Sequence, residues 1–158
     1  MNYDYEIGHD EIRKVEHSKI AFVGAIGPCM AIGIYDKLSK SGYIGFGIIN
    51  NFDLIKNTID SAIEDFKDKG SLKISVAGAN KSYLTPVVDE KDPLDEICDY
   101  AWGEIEKIVL SYGFDKHNVV FHRSKKKGIN QEMYLDCKNG RIVVRNYAEK
   151  LPDEFYDD

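Results

Sequence analysis

Apolar and polar positions along the chain fall into short blocks separated by turn chemistry. Lys19-Ile20-Ala21-Phe22-Val23 reads as a strand, broken by the small residues and proline of Gly24-Ala25-Ile26-Gly27-Pro28. Met30 to Tyr35 is a second apolar run, closed by a polar turn from Asp36 to Gly42. Tyr43 to Ile49 is a third, whose glycines predict close backbone approach or a bulge. Leu54, Ile55, Ile59, Ala62, Ile63 and Phe66 then recur at helical spacing, with charge on the opposite side. Asn51 or Asp53 suits the cap of this first helix, and Gly70 follows its end. Leu72 to Ala77 reads as a strand and Asn80 to Pro93 as a loop. A second helix is predicted from about Leu94 to Tyr112, its apolar stripe formed by Leu94, Ile97, Cys98, Ala101, Ile105, Ile108 and Val109. Pro93 suits its first position and Gly113 ends it. Strands follow over His117 to His122, Glu132 to Cys137 and Arg141 to Asn146, the last two joined by the hairpin signal Lys138-Asn139-Gly140.

Two helices among six or seven strands do not alternate as βαβ units. The pattern predicts an α+β layered fold, not a doubly wound nucleotide binder. No GxGxxG or Walker-type phosphate loop is present, so phosphate-transfer chemistry has no support. The 158 residues suit one domain, read as a weakly assigned segment 1–18, a folded region 19–147 and an acidic tail 148–158.

Composition narrows the function classes. The formal net charge is -6, and an acidic surface argues against nucleic acid as a partner. The run Lys125-Lys126-Lys127 is read as a solvated loop, and the tail as a solvated terminus. No apolar run approaches a membrane span, so no membrane insertion is expected. The acidic start of the chain does not resemble a signal peptide, which points to a cytoplasmic, reduced protein. The three cysteines (Cys29, Cys98, Cys137) form no disulfide framework and make no zinc spacing with the four histidines. No metal site and no cofactor are expected.

Cys98 falls on a helical apolar stripe and reads as core; Cys137 ends a strand beside a turn and reads as structural. Cys29 differs. It follows Gly27-Pro28 in a stretch of small residues, where a turn can present a thiol at a mouth with backbone N–H groups free to bind an oxyanion. The same pattern also fits a cysteine opening a buried strand.

The run Gly27-Pro28-Cys29-Met30-Ala31-Ile32-Gly33-Ile34-Tyr35-Asp36 resembles the Gly-Ser-Cys-Val-Ala-Val signature of the chemoreceptor glutamine deamidases, the CheD family. Gly42 before a strand, the small residues Val76-Ala77-Gly78-Ala79, Gly113 and the ending Lys138-Asn139-Gly140-Arg141-Ile142-Val143-Val144-Arg145 follow in the family's order. The resemblance spans roughly Lys19 to Arg145. It implies a layered α/β sandwich of the cysteine hydrolase type. It also implies hydrolysis of receptor glutamine side chains by a thiolate, a histidine acting as base and acid, and a threonine orienting that histidine.

Cys29 matches the nucleophile, but the residue matching the histidine is Phe46, that matching the threonine is Val23, and Pro28 stands for the serine before the cysteine. A free thiol is only about 3% thiolate at pH 7, and loss of a general acid-base group costs about 10²–10⁴ in rate. Phe46 and Val23 neither titrate nor donate hydrogen bonds. His122, ending a strand and sharing a face with Val120, is the candidate substitute base; His117, His9 and His17 are weaker ones. Three readings follow. The first is a catalytically impaired CheD-like domain that binds a receptor or signalling protein through the old cleft, with Val23, Gly27, Pro28 and Phe46 lining it. The second is an active amidohydrolase with a relocated base. The third is a small-molecule binding domain whose cleft is lined by Phe46, Val23 and Met30. Oligomeric state is not legible from the sequence.

Overall fold

The computed structural model describes residues 1–81 and 93–150, with side chains omitted for 93–95. Most of the loop expected from Asn80 to Pro93, and the acidic end of the chain, lie outside the described residues. Nine strands and two helices are described: β1 (Tyr5–Glu6), β2 (Glu11–Val15), β3 (Ile20–Val23), β4 (Met30–Asp36), β5 (Ser41–Gly47), α1 (Phe52–Phe66), β6 (Leu72–Gly78), α2 (Pro93–Ser111), β7 (Val119–His122), β8 (Ile129–Asp136) and β9 (Arg141–Ala148). The strands form two sheets, β1-β3-β8-β9 and β2-β5-β4-β6-β7. The α+β layered architecture expected from the pattern is therefore the one observed. The segment before Ser18, to which the pattern assigns no element, supplies a strand to each sheet: β1 pairs parallel with β3, and β2 antiparallel with β5.

β4 explains the layering. All of its residues are buried, and alternate side chains serve different cores. Met30, Ile32 and Ile34 pack with Leu54, Ile55, Ile59, Trp102 and Ile105 in the core under the helices. Ala31 and Tyr35 pack with Val23, Ile44, Met133 and Leu135 in the core between the sheets. A strand covered on both faces reads as a continuous apolar run, which is how this one appears in the sequence.

The glycines of β5 mark close approach and not a bulge, because β5 pairs with β4 without interruption. A Cβ on Gly45 would lie 2.4 Å from Thr58 Oγ1 of α1. That hydroxyl is buried and donates to Leu54 O at 2.7 Å. Asn51 caps α1, its side chain accepting from Leu54 N at 3.3 Å. The helix ends at left-handed Lys67, not at Gly70, which sits in the short 3-10 turn that follows. One βαβ unit does occur: β6 and β7 pair in parallel, with α2 as their crossover. The β8–β9 hairpin turns at Asn139-Gly140 as expected. Asp136 accepts hydrogen bonds there from Lys138 N, Asn139 N, Asn139 Nδ2 and Arg141 Nε. Burial pushes its carboxyl up, but those donors outweigh burial and hold it below the usual range.

Two glycine substitutions should act with opposite sign. Gly45→Ala forces Thr58 and α1 off the sheet and is expected to cost about 1–3 kcal/mol. Gly103→Ala meets nothing within 4 Å on the exposed side of α2 and should stabilise by roughly 0.5–1 kcal/mol. Urea unfolding midpoints of the two variants check both signs.

Candidate functional site

Cys29 stands one residue before β4, on the side of the strand that faces the second sheet. The cross-strand register settles what shares that side. Phe46, Ala31, Ala77 and His122 form one row across β5, β4, β6 and β7. Cys29 is two residues from Ala31 and so points to the same face. Phe46 is then its diagonal neighbour, with Cα atoms about 7–8 Å apart. The residue that stands where the resemblance expects a histidine is thus placed beside the thiol. It is 5% exposed and belongs to the core between the sheets, and Cys29 packs half-buried against that core. Val23 is fully buried in the same core. Met30 faces the helices, so Phe46, Val23 and Met30 do not line a common cleft.

The loop carrying Cys29 is tied down at three donors next to the thiol. Ile26 N donates to Gln131 O at 2.9 Å and Cys29 N to Ile26 O at 3.0 Å. Gly27 N donates to Asn130 Oδ1 at 2.6 Å. Pro28 has no N–H. The expectation of free N–H groups around the thiol is therefore corrected at 26, 27 and 29, whose donors are all spent. Backbone strain accompanies this tight path. Ala25 and Ala79 have φ of 48° and 45°, a conformation disfavoured for residues with a Cβ. Gly27 and Gly78 are also left-handed, at 55° and 115°. Gly78 has to be glycine, since a Cβ there would lie 2.1 Å from Cys29 O. The end of β6 is laced to the loop by Ala79 N to Cys29 O at 2.8 Å and Asn80 N to Gly27 O at 3.2 Å.

Two buried amides complete the support. Gln131 Oε1 accepts from Gly78 N and Asn80 Nδ2, both at 2.8 Å. Its Nε2 donates to His122 O at 2.9 Å and Asn146 Oδ1 at 2.8 Å. All four of its hydrogen-bonding positions are filled. Asn80 Oδ1, by contrast, is buried with no partner among the described residues. The strand pattern begins β8 at Glu132 and passes over Asn130 and Gln131. Continuing its alternation inward from Leu135 and Met133 reaches Gln131, and a glutamine at an inward position was the available signal.

His122 lies in the same row as Phe46 but two strands from β4, about 10 Å away sideways. No hydrogen bond joins it to the thiol among the described residues. Burial lowers its pKa, which keeps the ring neutral and weakens it as a base. His117 lies beyond the other end of β7, and His17 is exposed before β3. His9, in the segment without a predicted placement, proves to be the histidine nearest the expected position: its ring stacks on Phe46 at 4.7 Å between centroids. It is exposed and makes no hydrogen bond to Cys29. Beside it, Asp10 donates nothing useful to a nucleophile. Burial first, and then the Asp10 carboxylate, push the Cys29 thiol above its ordinary value. Cys98 and Cys137 are both 1% exposed, as core and structural residues should be, and burial pushes Cys137 up to about 12.

Alkylation across pH tests these electrostatics. Cys29 should react with iodoacetamide as a thiol less acidic than a free one, with no inflection below neutrality. Asp10→Asn removes a repulsive charge, lowers the thiol pKa and should speed alkylation at pH 7–8 by roughly twofold, a small factor because the charge is exposed and screened.

No protein-family model matches the chain, and no curated protein matches it in sequence. Among solved structures, the crystal structure of the Bacillus licheniformis hypothetical protein YfiH is similar at 9% identity and a TM-score of 0.49, over 70% of this chain and 49% of that one. The chain spans about half the length of that structure.

Proposed function

We propose that this domain is a CheD-like fold that has given up amide hydrolysis and acts by binding a protein partner, a receptor or signalling protein, at the rim around Cys29. The observation that carries this reading is the pairing of Phe46 with Ala31, beside the thiol, together with the engagement of the N–H groups at 26, 27 and 29. Hydrolysis of an amide needs a thiolate, a proton for the departing nitrogen and donors for the oxyanion. The described residues around Cys29 offer a raised thiol, a phenyl ring and occupied donors. The rim, in contrast, suits contact. Ile48 is 50% exposed, two residues beyond Phe46, and Pro28 is half-exposed next to the thiol. An apolar residue flanked by a rigid loop loses little entropy when covered by a partner.

Chemoreceptor cytoplasmic segments are the probe for this reading. Binding is expected without loss of ammonia from glutamine, unchanged by Cys29→Ala and weakened about tenfold or more by Ile48→Asp. Glutamine deamidation abolished by Cys29→Ala would overturn it. A gain-of-function variant tests the resemblance itself. Phe46→His places an imidazole diagonal to Cys29, and should raise alkylation at neutral pH by about tenfold through a lowered thiol pKa. Unchanged reactivity in a folded Phe46→His variant would mean that position 46 does not address the thiol as the family's histidine does.

A further inference from the structure

A second site lies at the other end of the sandwich, independent of the reading of Cys29. Ser75 pairs with Gly33, four residues along β4 from Cys29 and so about 13 Å away. There the edge of one sheet meets the start of β9 in the other, and a cavity of about 300 Å³ opens. Its walls come from β6 (Lys73, Ser75), the turn before β7 (His117, Asn118), Val120 of β7, and Arg141 and Ile142 of β9.

The chemistry of this lining is unlike that of the chain as a whole. The protein is acidic, yet the cavity is edged by an ammonium and a guanidinium, and no carboxylate lines it. Lys73 is exposed and has no partner among the described residues. Arg141 gives its Nε to Asp136 at 3.0 Å, which orients the guanidinium and leaves its terminal nitrogens for another acceptor. Asp136 itself is fully buried and engaged by Asn139 as well. Ser75 adds a neutral donor to the two cations. It is 6% exposed and lines the cavity, and its hydroxyl has no hydrogen-bond partner among the described residues. That hydroxyl opens onto the cavity, where it can donate to a ligand oxyanion. His117 and Asn118 add polar edges, and Val120 and Ile142 form the apolar part of the wall. Ile142 closes over Gly33, where a Cβ would lie 3.3 Å from its Cγ2. Val120 is 48% exposed and faces the opening.

We infer that this cavity binds a small organic anion: an oxyanion head held by Lys73, Arg141 and the Ser75 hydroxyl, and an apolar body laid against Val120 and Ile142. The volume lies at the lower end of the range for small-molecule sites. A phosphate ester and a carboxylate both carry such a head, and the probes separate them.

The full chain, labelled with ¹⁵N, is titrated with phenyl phosphate, benzoate and inorganic phosphate. Saturable shifts confined to the amides of Ser75, Asn118, Gly140 and their neighbours are expected with phenyl phosphate or benzoate, and the tighter of the two identifies the head group. Inorganic phosphate should bind more weakly, since it lacks the apolar body. Lys73→Gln is expected to weaken binding roughly threefold, and Lys73→Gln with Arg141→Gln roughly tenfold. Because Arg141 also serves Asp136, the exposed Val120→Asp provides a second variant, expected to abolish binding by like charge without touching that pair. Cys29→Ala should change nothing. Absence of saturation with both organic probes, shifts scattered over the surface lysines, or equal affinity for inorganic phosphate would each overturn the inference.

Discussion

The side chain of Gln131 holds together what the rest of this fold depends on. Its two acceptor contacts reach Gly78 and Asn80 on one sheet, and its two donor contacts reach the carbonyl of His122 and the side chain of Asn146. One buried amide therefore joins β6, β7, β8 and β9 across the two sheets. Apolar packing between sheets is tolerant of sliding, whereas four directed hydrogen bonds are not. With that register set, the end of β6 is presented to the loop before β4, and the loop is carried past Ile26 to Cys29 along a path that requires left-handed backbone at Ala25, Gly27, Gly78 and Ala79. Such strain persists only where surrounding structure over-determines it, and here the surrounding structure is this amide network.

That rigidity bears on chemistry. A nucleophilic cysteine is usually exposed to positive potential and to free N–H donors. Cys29 has the opposite setting: apolar neighbours, a carboxylate at Asp10 and a loop whose donors bond inward. The position beside it is filled by Phe46, with His9 stacked outside. The imidazole lies against the Phe46 ring, and no hydrogen bond joins it to the sulfur among the described residues. Phe46 packs into the core between the sheets and so places apolar burial, not a titrating group, beside the thiol.

Much of the architecture was legible because the core is divided by alternation. Met30, Ile32 and Ile34 against Ala31, Gly33 and Tyr35 separates the two cores within one strand, and the stripes of α1 and α2 follow the helical period. The Asn139-Gly140 turn was legible for the same local reason. The first strands were not. β1 has only two residues, and β2, an edge strand carrying Arg13 and Lys14, lacks a clean apolar face, as edges that resist unwanted pairing often do. With β2 unplaced, His9 and Asp10 were unplaced too. At the site, the positions of Cys29 and Phe46 could be read from their order in the chain, but the fate of the loop's N–H groups could not. The partners of those at 26 and 27, Gln131 and Asn130, are roughly a hundred residues away in sequence and meet the loop only once the sheets are stacked.

The division into two cores has a consequence for how the molecule opens. Each core contains its own sulfur: Cys98 lies under the helices, with Trp102 and Ile105, and Cys137 lies between the sheets, with Val15 and Ala21. A reagent reaches either thiol only when its layer parts, so the rates at which the two are labelled measure separate opening free energies within one native chain. Equal rates would describe a sandwich that breathes as a single cooperative unit; unequal ones would rank its layers, with no foreign probe introduced.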